Sequence, residues 1–182
     1  VHVTAEIALP TFRLSASRSL ANGTGPITGE VCAHHLVLTE DVYRKPHGNS
    51  ADFVCAPPLR PASDVEAMWK AISDRTLSFV VTDHCAFTKA QRRGERRTPE
   101  FRKYWDPRGE HVEKLPEDEE HERWWKQKGE IPPFFNMPGG LCGIEPRMAL
   151  CFQGFRDRGL SLSEFVQATS TAAAKRYNLW PR

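Results

Sequence analysis

The stretch FVVTDHCAF, residues 79–87, is the part of this sequence that most clearly indicates its fold. The apolar run Phe79–Val81 predicts a short buried strand, which ends abruptly at Thr82–Cys85. Strands that are apolar on both faces are typical of parallel sheets covered by helices. In parallel α/β folds the functional groups lie at the carboxyl ends of the strands. Asp83 is therefore a candidate metal-binding or catalytic carboxylate at the mouth of a barrel, although a strand-end Asp is about as often a helix cap.

Further strand-like segments precede this strand in the sequence. The stretches 1–4, 27–39 and 52–60 each predict a short strand, the second followed by an apolar-rich segment. SDVEAMWKAISD, residues 63–74, predicts a helix capped by Ser63, with Glu66 three residues on. In contrast, Pro10 and a turn-rich sequence in residues 5–25 predict no regular helix there. The order of strands and helices predicts an α/β protein with a parallel sheet.

The last third of the chain predicts a glycine-rich loop and two helices. Residues 134–148 form the loop and lead into the first helix, which Gly159 is placed to end. Residues 161–179 predict the second helix, since Ser161 and Glu164 have the spacing of a capping box and apolar residues recur on one face.

Composition and charge exclude several classes of protein. The 182 residues are 40% hydrophobic and 26% charged, as in an ordinary globular domain. A net charge of +2 gives no reason to expect nucleic acid or an anionic membrane as a partner, and no apolar run could span a bilayer. The 5 cysteines are widely spaced without a CxxC pair, which fits a reducing compartment. We therefore expect a cytoplasmic protein.

Residues 88–133 differ from the rest because charges of both signs crowd them, with aromatic residues between the charges. This composition predicts an inserted surface segment with one or two solvated helices. An alternative is a lid or an oligomer contact that uses the tryptophans of this segment.

Histidines are further candidate ligands, and His2 stands in the first predicted strand. His34 and His35 look like a metal pair, but neighbouring residues of a strand point to opposite faces, which disfavours joint ligation. The same argument applies to His84 beside Asp83. Ordinary structural roles are favoured for His34, His35, His47, His111 and His121.

The order of six sequence blocks is more specific than any one of them. The blocks are VHVT, GEVCAHHLVLTEDVY, FVCAPPLR, FVVTDHCAF, MPGGLCGIEPRM and SLSEFVQATSTAAAKRYNLWPR. In this order the chain resembles the C-terminal part of the dihydropyrimidinase/D-hydantoinase family of cyclic amidohydrolases. The resemblance implies that residues 1–182 are the last strands and helices of a metal-dependent TIM (β/α)8 barrel, with 88–133 as an insertion. A whole barrel needs about 250 residues, so we expect the chain alone to be inactive.

The same resemblance implies the site. Family members hold two divalent metals, usually zinc, bridged by a hydroxide and by a carboxylated lysine that would lie outside this chain. His2 matches a ligand of the more exposed metal. Asp83 matches the ligand of the buried metal, which also carries the proton to the leaving nitrogen. Backbone groups near Ala56 and Gly139 match positions that hold the cyclic amide, where the family often has Ser or Gly and Asn.

The implied function is hydrolysis of a dihydropyrimidine or hydantoin ring in pyrimidine degradation, by a homo-oligomer that is commonly a tetramer in this family. One alternative is a non-catalytic assembly or interaction protein, and such relatives have typically lost metal ligands. Another is an allantoinase or dihydroorotase, which would use the same chemistry on a different ring.

Overall fold

The computed structural model describes residues 2–22, 25, 27–44, 50–88, 92 and 138–180. Two strands are β1 (Glu30–Cys32) and β2 (Phe79–Val81). The α-helices are α1 (Leu9–Asn22), α2 (Ala62–Ser73), α3 (Ile144–Asp157), α4 (Leu162–Val166) and α5 (Ala172–Arg176). Short 3-10 helices cover Glu6–Ala8, Ala33–Leu36, Glu40–Arg44 and Ser50–Phe53, and a π-helical turn, Gln167–Thr171, joins α4 to α5.

The sheet is parallel, and its segments lie side by side in chain order. β1 pairs with β2 in the register Val31 to Val80. Isolated parallel bridges extend the arrangement on both sides, from His2 to Glu30 and from His84 to Leu141. The predicted α/β class with parallel strands is therefore confirmed.

The core is centred on α2, whose buried face consists of Val65, Met68, Trp69, Ala71 and Ile72. Trp69 is 2% exposed, and its Nε1 donates a hydrogen bond of 2.8 Å to the carbonyl oxygen of Leu36. The ring of Phe155, on α3, meets Trp69 edge-on with centroids 5.5 Å apart. The Arg158 guanidinium lies over the same indole at 4.3 Å. Trp69 thus joins α2 to α3 and to the segment after β1.

The close approach of Trp69 to α3 requires glycine at position 154. A Cβ atom on Gly154 would clash with the indole ring of Trp69. Within a helix, glycine to alanine normally stabilises by about 1 kcal/mol. We expect Gly154→Ala instead to lower the free energy of unfolding by about 1–3 kcal/mol, as overpacked cores do. Denaturant unfolding checks this, with the exposed Gln153→Ala on the same helix as control; a more stable Gly154→Ala would contradict the packing described.

Three predictions about local structure were wrong. Residues 9–22 do form a helix, because Pro10 occupies its first turn, where the missing N–H has no helical partner to lose. α2 begins at Ala62 after Pro61, with no side-chain cap, so Ser63 lies inside the helix. The stretch 52–60 is not assigned as a strand, since its start belongs to the 3-10 helix Ser50–Phe53.

The predicted end of α3 and start of α4 are confirmed, whereas the single helix predicted over 161–179 is interrupted by the π-helical turn Gln167–Thr171. Ser161 and Glu164 form the capping box, with the Ser161 hydroxyl oxygen accepting from the Glu164 amide at 3.2 Å. Gly159 follows α3 with φ +67°, a left-handed conformation that favours glycine. Within the described residues, none of the helices combines the length and apolarity needed to cross a membrane.

Candidate metal and substrate site

His2 and Asp83, the two predicted metal ligands, lie next to each other. His2 Nε2 is 3.7 Å from Asp83 Oδ1, and His2 Nδ1 is 2.9 Å from Glu30 Oε1. His2 and Glu30 face each other across a parallel bridge, and Asp83 follows the end of β2. The side chains of His2 and Asp83 are 27% and 35% exposed, so both remain accessible to a small ligand.

The backbone of Asp83 is left-handed, with φ +43°. This conformation is uncommon for residues other than glycine, although Asp adopts it more easily than most. Such conformations cost of order 1–3 kcal/mol and cluster at functional sites. The backbone therefore leaves the extended conformation of β2 at Asp83, whose carboxylate lies next to His2.

Ala56 and Gly139, the two predicted substrate-binding positions, are also neighbours. An added Cβ on Gly139 would lie 3.8 Å from the backbone nitrogen of Ala56 and 3.9 Å from Cys55 Cα. The Gly140 amide donates to the Val54 carbonyl at 2.9 Å and holds the two segments together. Both positions are exposed, so their backbone groups can be reached by a ligand.

His84 has a structural role, in agreement with the view that it does not share a metal with Asp83. Its Nδ1 accepts hydrogen bonds from the amides of Gly143 (3.0 Å) and Ile144 (3.3 Å), at the N-terminus of α3. These amides have no partner within the helix, so the imidazole acts as a cap. His84 thereby fixes α3 to the end of β2.

Nothing in the sequence indicated a role for Arg92. It is buried, although residues 88–133 were predicted to be a solvated surface segment. It is 8% exposed, and its Nη1 donates to the carbonyl oxygens of Gly140 (2.6 Å) and Asp52 (3.2 Å). Further bonds reach the carbonyls of Phe87 (3.3 Å) and Cys85 (3.4 Å). The guanidinium joins the loop at Gly140 to the segment after β2. Apart from Thr88 and Arg92, the predicted insertion lies outside the described residues.

His34 and His35 do not lie on a strand, so the reason for disfavouring a joint site was wrong. They belong to the buried 3-10 helix Ala33–Leu36, and their ring centroids are 4.2 Å apart. With Cys32 they bring three potential ligand atoms within 4.8 Å of one another. Cys32 also forms such a group with His2 and Asp83. No sequence motif marks this cluster, because it depends on the turn after β1.

Burial keeps the members of this cluster neutral. Burial, followed by the nearby charge of Asp83, raises the pKa of the Cys32 thiol to about 12. Burial, followed by the neighbouring His35, lowers the pKa of His34 to about 3. The pKa of His35 is also lowered, mainly by burial. Near neutral pH these groups are therefore a thiol and two neutral imidazoles, so their ring nitrogens keep lone pairs.

Parallel segments that carry an imidazole–carboxylate pair at one edge of the sheet define an α/β protein with a strand-end polar site. No protein-family model matches the chain. It is 30% identical, over its whole length, to a D-phenylhydantoinase of Escherichia coli O1:K1 / APEC. A D-hydantoinase from a Bacillus sp. AR9 superposes on all of it with a TM-score of 0.68 and 27% identity. A dihydropyrimidinase from Brevibacillus agri NCHU1002 covers 99% of it, with a TM-score of 0.67 and 26% identity.

The chain is thus similar over its whole length to D-hydantoinases and a dihydropyrimidinase, as the order of its sequence blocks predicted. It spans 31% of the length of each of these three relatives.

Proposed function

We propose that this chain carries part of the active site of a metal-dependent hydrolase that opens a cyclic amide, a dihydropyrimidine or a hydantoin. The observation that carries this proposal is the 3.7 Å approach of His2 Nε2 to Asp83 Oδ1 at the ends of parallel segments. The names of the relatives support the substrate class, since they are a D-phenylhydantoinase, a D-hydantoinase and a dihydropyrimidinase.

The parent fold in this proposal is a TIM barrel. Its strands are all parallel and neighbours in space follow chain order, with active sites at their carboxyl ends. The described segments at His2, β1, β2 and Leu141 have this order and direction. They would form one arc of the barrel wall.

His2 and Asp83 would each be a ligand of a divalent metal, His2 of the more exposed one and Asp83 of the buried one, and their donor atoms fit this role. Imidazole nitrogen and carboxylate oxygen are ordinary zinc ligands, and Glu30 at 2.9 Å would orient the His2 ring from its other nitrogen. When bound, the metal supplies a Lewis acid and lowers the pKa of a water molecule. Zinc and the carboxylated lysine remain implications of the family resemblance.

The residues of the chain itself would bind the ring and move a proton. The edge of a cyclic amide presents a carbonyl and an N–H side by side, which exposed backbone groups at Ala56 and Gly139 can pair with. Asp83 would accept the proton of the attacking water and deliver it to the ring nitrogen as the C–N bond breaks. The homo-oligomeric state and the cytoplasmic location stay predictions.

Metal removal tests the proposal directly in the complete protein that carries this chain. We expect hydrolysis of dihydrouracil or hydantoin by the purified protein, loss of that activity on chelation, and recovery when Zn²⁺ is added. The change in absorbance on ring opening measures the activity, and elemental analysis measures the metal content. Activity that survives complete metal removal would contradict the mechanism.

The same assay distinguishes the alternatives. Absence of both turnover and bound metal would favour the non-catalytic assembly protein. Metal-dependent turnover only of allantoin or dihydroorotate would retain the chemistry and replace the proposed substrate class.

A further inference from the structure

Two buried histidines have ring nitrogens that lack partners within the described residues. His34 is 8% exposed and His35 is 3% exposed. Neither nitrogen of His34 has a hydrogen-bond partner there, and Nδ1 of His35 has none either. A buried polar atom without a partner is destabilising, so these nitrogens indicate a binding site for a ligand.

A hydrogen bond to a backbone carbonyl fixes the tautomer of His35. Its Nε2 lies 2.9 Å from the carbonyl oxygen of Pro57, which can only accept a hydrogen bond. The proton is therefore on Nε2, and Nδ1 carries the free lone pair. Metal-binding histidines have this arrangement, with one ring nitrogen donating to a carbonyl and the other bound to the ion.

Cys32 provides a third donor of suitable chemistry. It ends β1 with no exposed surface, and the 3-10 turn that follows returns His34 and His35 towards it. The three ligand atoms lie within 4.8 Å of one another, close enough for one ion to contact all of them after small side-chain adjustments. One sulfur and two imidazole nitrogens suit Zn²⁺ or Co²⁺, whereas Mg²⁺ and Ca²⁺ prefer oxygen ligands.

We propose that Cys32, His34 and His35 form a second metal site, which takes a borderline-soft divalent cation such as Zn²⁺ through one thiolate and two imidazoles. Binding of the cation releases the thiol proton of Cys32 to solvent. The site is distinct from the His2–Asp83 pair, although Cys32 lies within reach of both. This proposal does not depend on the proposed ring hydrolysis, since Cys32, His34 and His35 take no part in that reaction.

Cobalt titration of the metal-free complete protein tests this site. Tetrahedral Co²⁺ bound to a thiolate gives a sulfur-to-cobalt charge-transfer band and intense visible bands, which oxygen and nitrogen ligands alone do not produce. We expect the charge-transfer band in the wild type and its loss in Cys32→Ser. His34→Gln and His35→Gln should weaken cobalt binding by more than the roughly 10- to 100-fold that loss of an outer-sphere partner causes.

The matched control is Asp83→Asn, which removes a donor of the other group and should leave the charge-transfer band in place. Absence of the band in the wild type would overturn the proposal. So would a band that disappears in Asp83→Asn and persists in His34→Gln, because the ion would then belong to His2, Cys32 and Asp83.

X-ray absorption of Asp83→Asn saturated with Co²⁺ covers the case in which the Cys32, His34 or His35 variants do not fold. A first shell with sulfur and imidazole nitrogen is expected, and a shell of oxygen and nitrogen alone would overturn the site. Absence of ring hydrolysis by the wild-type protein, with the sulfur signal present, would count against the proposed function and leave this inference standing.

Discussion

Asp83→Asn in the complete protein is expected to reduce kcat for ring opening by about 10²- to 10⁴-fold, the usual contribution of a general base. Asparagine keeps the shape of the side chain but has neither the charge that holds a metal nor the basicity that accepts a proton. Asp83 is 35% exposed and Asn tolerates its left-handed backbone, so the thermal midpoint should change little. Steady-state kinetics, thermal unfolding and elemental analysis of metal content measure the three effects.

A matched control uses an acidic residue away from the site. Asp157 ends α3 on the surface, where it accepts a hydrogen bond from Gln153. Asp157→Asn should leave kcat unchanged. If Asp83→Asn also had near-normal kcat, Asp83 would be neither an essential metal ligand nor the proton carrier, whatever the metal content of the variant.

Arg92→Met is expected to lower the free energy of unfolding by about 1–3 kcal/mol. The substitution leaves the buried carbonyl of Gly140 without the guanidinium, which costs about 1–3 kcal/mol, and it also removes the hydrogen bonds to the carbonyls of Asp52 and Cys85. Methionine fills much of the same volume, so lost hydrogen bonds rather than a cavity would dominate. Chemical denaturation measures the change.

Arg92 also has a consequence for the site, because its shortest bond reaches Gly140, next to Gly139. KM for the cyclic amide should therefore rise more than kcat falls in Arg92→Met. Arg92→Lys should recover part of the stability, since an ammonium can reach some of the carbonyls. The exposed Arg156→Met is the control and should stay within about 0.5 kcal/mol of the wild type. A stability of Arg92→Met equal to that of this control would show that the buried contacts contribute nothing.

Local patterns account for what could be predicted at the ends of helices and strands. The Ser161–Glu164 capping box and Gly159 were found because their hydrogen bonds and backbone angles depend on a few adjacent residues. The error at Pro10 has the same origin, since proline ends a helix from the inside but is compatible with its first turn.

The candidate site was predictable only in part. The order of blocks placed His2 and Asp83 at the ends of parallel segments, where adjacent strand ends meet, and the structure brings both side chains together. Ala56 and Gly139 were selected in the same way and are also neighbours. Their roles as metal ligand, proton carrier and substrate contacts stay predictions until the variants are measured.

By itself, then, the sequence determined the parallel α/β class, the similarity to hydantoinases and the strand ends at which polar groups meet. Only the tertiary structure decided the burial of Arg92, the left-handed turn at Asp83 and the grouping of Cys32 with His34 and His35. The physical reason is the range of the interactions. Periodicity and capping act over a few residues, whereas these features depend on contacts between distant segments and on a 3-10 turn that the strand pattern does not predict.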